Sequence, residues 1–236
     1  MRSIAKLMKD WQFTGPNGVP TAVELPHTWN AKDGQDGGND YWRGCCTYCT
    51  RFAAPVYDPA QQQVWLQFEG VNASAAVLLN GQQLCTHDGG YSTFRAEVTE
   101  LLQAENQLTV RVDNSVNDRV YPQKADFTFY GGIYRDVSLL VVNKNHIALG
   151  HFGDTGVKIT PALQENSADI RVETLVEGSG TVTVELLDAE GRTAAKGEGE
   201  NASLHLDAPH LWNGVKDPYL YTCVVAYCRT ASRWMK

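Results

Sequence analysis

Hydrophobic and polar positions alternate in short runs along most of this chain, with a period of two rather than 3.6. Leu108-Thr109-Val110-Arg111-Val112 alternates cleanly and reads as a strand with one buried face. Val64-Trp65-Leu66-Gln67-Phe68 and Ala75–Leu79 read as two more. Asn80-Gly81 follows the latter. Both central positions of a type I′ turn need positive φ, so this pair predicts a tight hairpin returning through Gln82–Cys85. Val137–Val142 is continuously apolar, the pattern of a strand covered on both faces. No long segment carries a helical period, and Val98–Leu102 is expected to form one short helical turn.

The pattern breaks near Asn143-Lys144-Asn145. Beyond it, shorter strands are predicted at about 156–161, 168–176, 181–187, 201–206 and 219–227, separated by glycine and acidic turns such as Ala189-Glu190-Gly191. Many short strands at this spacing argue for β-sandwiches. The sequence therefore predicts an all-β protein of two domains, a larger sandwich at 1–143 and a smaller immunoglobulin-like one at 144–236. The first is long enough to bury a full core; the second is marginal.

Composition narrows the function classes. The 236 residues are 43% hydrophobic and 20% charged, ordinary for a globular protein. A net charge of −7 opposes a nucleic-acid surface. No apolar run approaches a membrane span, and the start of the chain lacks the apolar core of a signal peptide, so a cytoplasmic location is expected. Without secretion, the sequons Asn72-Ala73-Ser74 and Asn201-Ala202-Ser203 carry no weight. Cys45, Cys46 and Cys49 crowd one segment, and Cys46-x-x-Cys49 invites a zinc or redox reading, yet no second pair has that spacing; Cys85, Cys223 and Cys228 are scattered, and reduced thiols are expected. No metal or other cofactor is expected. There is no Gly-x-Ser-x-Gly elbow or zincin histidine pair, and Gly131-Gly132 follows aromatic residues rather than opening a helix.

An ordered series of motifs points further. Leu25-Pro26-His27-Thr28-Trp29 precedes Asp40-Tyr41-Trp42-Arg43-Gly44 and an aromatic strand. Then come Asn80-Gly81, His87-Asp88-Gly89-Gly90-Tyr91, Phe94, Asn106–Val110 and Val112-Asp113-Asn114. Asp126-Phe127-Thr128-Phe129-Tyr130-Gly131-Gly132-Ile133-Tyr134-Arg135-Asp136-Val137 is the most telling, and Leu211-Trp212 with Asp217-Pro218-Tyr219-Leu220-Tyr221 closes the set. In this order the motifs resemble the opening of glycoside hydrolase family 2, of β-galactosidase type. The resemblance covers nearly the whole chain. It implies a jelly-roll, galactose-binding-like β-sandwich, then an immunoglobulin-like sandwich truncated at its C-terminal end. In the family a (β/α)₈ barrel with two catalytic carboxylates follows; those glutamates have no counterpart here.

The resemblance also implies a carbohydrate partner, a β-galactoside by analogy alone. Asp126 is the first substrate-binding candidate, because a carboxylate accepts two directional hydrogen bonds from vicinal hydroxyls. Phe127, Phe129, Tyr130 and Tyr134 around it offer faces for sugar C–H groups; the bland alternative is a turn-capping aspartate. Asn39 and Asp40 sit in a glycine-rich loop near the corresponding family subsite, or in a solvated turn. Arg119, Tyr121, Gln123 and Lys124 are expected to line the same groove. Trp42 is either core or a sugar platform; Trp29 and Trp65 are expected in the core, and Trp212 packed within the second domain. Arg135 and Asp136 are expected to pair. His27 and His87 are expected to be structural, and His146 and His151 to titrate at the surface.

The residues after Cys228 do not continue the family pattern. A shift of reading frame after about Tyr227 is one account of them; a short natural protein or a vector tail is the other. If the last strand of the second sandwich is missing, an open sheet edge is left, and pairing with a second copy or disorder of the tail after about Tyr227 is expected. Three functions compete: a carbohydrate-recognition portion, a stand-alone glycosidase using Asp126 with Asp40, Asp88 or Asp118, and a structural domain complementing a barrel-bearing partner.

Overall fold

Alternating sequences build two sandwiches, seen in a computed structural model that describes residues 2–33, 41–121, 128–150 and 152–228. The chain divides into two compact units, Met1–Asn143 and Lys144–Lys236. The described residues form strands and one 3₁₀ turn, Thr99–Leu101, inside the segment expected to make a helical turn.

The first unit contains β1 (Ser3–Lys6), β2 (Trp11–Thr14), β3 (Pro20–Val23), β4 (Cys45–Ala53), β5 (Gln62–Phe68), β6 (Val71–Asn72), β7 (Ser74–Leu79), β8 (Gln82–Asp88), β9 (Phe94–Glu97), β10 (Glu105–Asp113), β11 (Gly132–Ile133) and β12 (Val137–Asn143). They form a four-stranded sheet, β1-β12-β5-β9, a six-stranded sheet, β3-β2-β4-β10-β7-β8, and a small β11-β6 ladder. Period two sends Leu108, Val110 and Val112 of β10 inward beside Val77 and Leu79 of β7. From the other sheet come Val64, Leu66 and Phe68 of β5 with Leu139 and Val141 of β12. In β12 the alternate positions Ser138, Leu140 and Val142 are buried too, the two-sided burial its apolar run predicts. Asn80 (φ 51°) and Gly81 (φ 83°) make the β7–β8 turn with both residues at positive φ.

The cysteine spacing resolves by the same alternation. Cys46 faces the interior of β4, where burial pushes its thiol up to about 12. Cys49, three residues on, lies on the opposite face, where the Thr109 hydroxyl donates to its sulfur at 3.8 Å. The pair cannot converge on one ion.

The second unit contains β13 (His146–Ile147), β14 (Val157–Leu163), β15 (Ser167–Thr174), β16 (Val176–Glu177), β17 (Thr181–Leu187), β18 (Thr193–Glu198), β19 (Asn201–Asp207) and β20 (Thr222–Cys228). Two three-stranded sheets, β14-β15-β19 and β18-β17-β20, and a β13-β16 ladder result. Ile170 and Val172, Val182, Val184 and Leu186, and Leu204 and Leu206 form the core between them. β20 pairs with β17 on one side; its other edge has no ladder partner among the described residues.

Several expectations are corrected. Asp136 does not pair with Arg135 but with Lys6, on the strand paired with β12, at 2.5 Å. Arg135 instead donates to the carbonyls of Tyr91 and Glu69. Trp212 is 64% exposed rather than packed into its domain. The His146 side chain is only 9% exposed, 3.9 Å from Glu177, and is not a surface group. His151 lies outside the described residues. Trp42 is 38% exposed at the edge of the core, its ring set edge-on against Trp29; Trp65 is buried as expected.

Candidate carbohydrate-binding site

At one end of the first unit, Thr28, Asn72, Tyr91, Thr128, Tyr130 and Tyr134 line a cavity of about 290 Å³. Four stretches of chain bring them together. The segment from Leu25 to Asn30 runs beside β11: the His27 N–H donates to the Ile133 carbonyl at 2.8 Å, and the Thr28 hydroxyl to that of Gly131 at 2.7 Å. Asn72 sits on β6, opposite Gly132, and its Nδ2 donates to the Tyr130 carbonyl at 2.9 Å. Gly90 packs so closely on Asn72 that a Cβ there would lie 2.4 Å from Oδ1. Tyr134 donates its hydroxyl to the Gly90 carbonyl, and Arg135 holds the next carbonyl, that of Tyr91, at 3.2 Å. Burial raises the Tyr134 phenol, which therefore stays a donor.

Behind the cavity lies a polar clamp that sequence reasoning missed. Asn30 is fully buried. Its Nδ2 donates to the Trp42 carbonyl at 2.8 Å and to Asp33 Oδ2 at 2.7 Å. Its Oδ1 accepts from the Gly131 N–H at 2.7 Å and from Asn114 Nδ2 at 3.2 Å. Asn114 Oδ1 in turn accepts from the Gly44 N–H at 2.9 Å. No local signal marks Asn30, because its partners Gly131 and Asn114 are 101 and 84 residues away.

The two histidines of the motifs are structural. His27 Nδ1 lies 2.7 Å from the hydroxyl of the fully buried Tyr48, and burial lowers its pKa. His87 stacks on Phe94 with ring centroids 4.2 Å apart, and its Nε2 contacts the Gly89 carbonyl at 3.0 Å; burial lowers it as well.

Asp126, Asp40 and Asn39 lie outside the described residues, as do Phe127, Gln123 and Lys124. Of the other candidates, Tyr121 is 75% exposed and Trp42 stands against Trp29; neither lines the cavity. Arg119 turns instead to Asp88, which it binds at 2.9 Å. The cavity offers aromatic walls, an amide and hydroxyls, the mixture that takes up a sugar ring. Tyr91 and Tyr130 are 57% and 41% exposed, so their surfaces are open to a ligand.

Comparison with known proteins finds glycoside hydrolases. The family model described as "Glycosyl hydrolase 2 galactose-binding domain-like" matches residues 36–162, and that described as "Glycosyl hydrolases family 2" matches 151–232. A β-glucuronidase of Bacteroides fragilis is 32% identical over 91% of this chain and 34% of its own length. A putative β-glucuronidase of Formosa agariphila is 36% identical over 87% of this chain and 26% of its own. The crystal structure of a putative β-galactosidase from Bacteroides fragilis superposes with a TM-score of 0.86 and 33% identity over 97% of this chain and 39% of that one. The chain thus spans between about a quarter and two-fifths of these relatives' lengths.

Proposed function

Because the chain belongs to glycoside hydrolase family 2, we propose that it is the carbohydrate-recognition portion of such an enzyme and that the tyrosine-walled cavity holds one hexopyranose. The observation that carries this reading is the wall itself. Tyr91, Tyr130 and Tyr134 surround Asn72 and two threonines, and the backbone beneath them is fixed by buried asparagine side chains. Thr128, which lines the cavity, lies two residues after Asp126, the first candidate for hydroxyl recognition, in the sequence. A cavity on one partner of a larger groove makes part of the contacts, which sets a dissociation constant on the order of 1 mM, about −4 kcal/mol.

The stand-alone glycosidase is less well supported. Asp88, one of its named carboxylates, accepts from the Ser74 hydroxyl at 2.5 Å and from Arg119 at 2.9 Å, and these bonds hold it below the usual carboxylate range. A carboxylate held ionised in this way cannot deliver a proton to a leaving group near neutral pH, so Asp88 could enter such a mechanism only as nucleophile or base.

The names β-glucuronidase and β-galactosidase borne by the relatives select the sugars for the first trial. Amide-resolved NMR titration with methyl β-D-galactoside and methyl β-D-glucuronide should move Thr28, Thr128 and Tyr130, and Tyr130→Ala should abolish the response. Silence of those amides toward both sugars would defeat the reading.

A further inference from the structure

We propose that the outer face of the six-stranded sheet carries a second carbohydrate site, specific for an acidic sugar such as a uronic acid, with Arg111 as its carboxylate-binding residue. The face is organised in two rows across four strands. Cys45, Asp113, Ser74 and Asp88 are cross-strand neighbours in one row; Thr47, Arg111, Ala76 and Thr86 are neighbours in the next. The rows are two residues apart along each strand, roughly 6.6 Å. Cysteine, serine, alanine and threonine are short, so the middle of the face is a groove rather than a ridge. Cys45, Ser74, Ala76, Thr86, Arg111 and Asp113 line it, with Asp88 and Arg119 at its side, enclosing about 390 Å³. That lies within the range of about 300–1,000 Å³ typical of small-molecule sites. Among the described residues it shares no lining residue with the tyrosine cavity.

The commitments of the charged groups identify the ligand chemistry. Asp88 is engaged through both oxygens, by Ser74 on one and Arg119 on the other. Asp113 accepts from the Ser115 N–H at 2.8 Å through Oδ1, and its Oδ2 accepts no hydrogen bond among the described residues. Arg111 makes neither an ion pair nor a hydrogen bond among the described residues. A planar guanidinium fork matches a carboxylate with two parallel bonds. An anion alone would also meet the carboxylates of Asp113 and Asp88 across the same groove. A uronic acid avoids that conflict: its carboxylate takes Arg111 while its ring hydroxyls donate to Asp113. A neutral sugar would leave the Arg111 fork in solvent and gain only the weaker contacts.

The test uses amide-resolved NMR on the whole chain. Methyl β-D-glucuronide should shift the amides of Ser74, Ala76 and Thr86, and methyl β-D-glucoside should leave them in place. Arg111→Gln should weaken the glucuronide response about tenfold or more, and added salt should weaken it in wild type. Arg111 is exposed, so an unchanged spectrum of the free variant verifies its fold. Ala76→Leu, which fills the groove with Arg111 intact, should abolish the response. Unmoved amides at Ser74, Ala76 and Thr86, or an undiminished response in Arg111→Gln, would overturn the proposal. So would acetate matching the glucuronide, because the groove would then read charge and not sugar. Thr128 and Tyr130 report the tyrosine cavity in the same spectra, so the two sites fail or succeed independently.

Discussion

Replacing Asn30 by alanine should cost the first unit roughly 3 kcal/mol, although the change removes little apolar contact. The side chain holds four hydrogen bonds in a fully buried position. Asp33 can turn to water and lose little. The Gly131 N–H and Asn114 Nδ2 are buried donors and have no such escape. An orphaned buried donor costs about 1–3 kcal/mol, so two of them give about 2–6 kcal/mol, reduced if a water enters the space left behind. With a urea slope of about 2 kcal/mol/M for a domain of this size, the midpoint should fall by about 1.5 M at unchanged slope. Tryptophan fluorescence is the assay, since Trp11, Trp29, Trp42 and Trp65 all lie in the first unit and report it ahead of the second. A loss below about 1 kcal/mol would refute the reasoning, because it would show the clamp to be replaceable by solvent.

Two further outcomes are expected. A Cβ at Gly131 would lie 2.2 Å from the Trp29 ring and 2.6 Å from Asn114 Nδ2, so Gly131→Ala should destabilise the first unit and displace Trp29, visible as a shifted indole resonance; an unperturbed spectrum would contradict the close packing. The two units should respond oppositely to acid. The Asp169 carboxylate, 2.6 Å from His205, raises that histidine, so its contribution is full below the unfolded pKa of about 6.5 and lost as pH rises through the folded value. Burial lowers His27, so its contribution is full above about 6.5 and lost as pH falls through the folded value. Denaturation from pH 5 to 8, with His205→Gln and His27→Gln as the respective controls, checks the signs.

The sandwich was legible because alternation is local. β10 can be read from Leu108–Val112 alone, and the β7–β8 turn from two residues whose backbone preference is intrinsic. β18 was missed because Thr193–Glu198 carries almost no apolar side chain; within the strand, only Ala195 and Gly197 are less than exposed, and its place is fixed by pairing with β17. The four exposed positions of β1 show no alternation either, and it is recruited as an edge strand by β12. Trp212 misled for a different reason. A large aromatic residue suggests burial, but this one stays 64% exposed, beside Leu211 at 51% and Val215 fully exposed. In the candidate site, motif residues were legible by type. The second groove was not, since Arg111 meets Ala76 only through strand register.

Three of the first unit's buried asparagines, Asn30, Asn72 and Asn114, fix backbone rather than fill the core. None of them belongs to its apolar core cluster. Asn30, Asn72 and Asn114 each carry a desolvation cost that only complete hydrogen bonding offsets, so their net contribution to folding is smaller than the loss on removing one. What they accomplish is positional. Asn72 holds the Tyr130 carbonyl, Asn30 ties the Gly131 N–H to the Trp42 carbonyl, and Asn114 holds the Gly44 N–H. Trp42 and Gly44 follow Asn39 and Asp40 in the chain, and Tyr130 and Gly131 follow Asp126. One polar knot therefore joins the roots of both segments that carry the sugar-binding candidates. An apolar contact would slide under strain, whereas a side chain with four directional bonds fixes both roots at once. On this reasoning Asn30 acts as a positioning residue for the backbone at Trp42 and at Gly131.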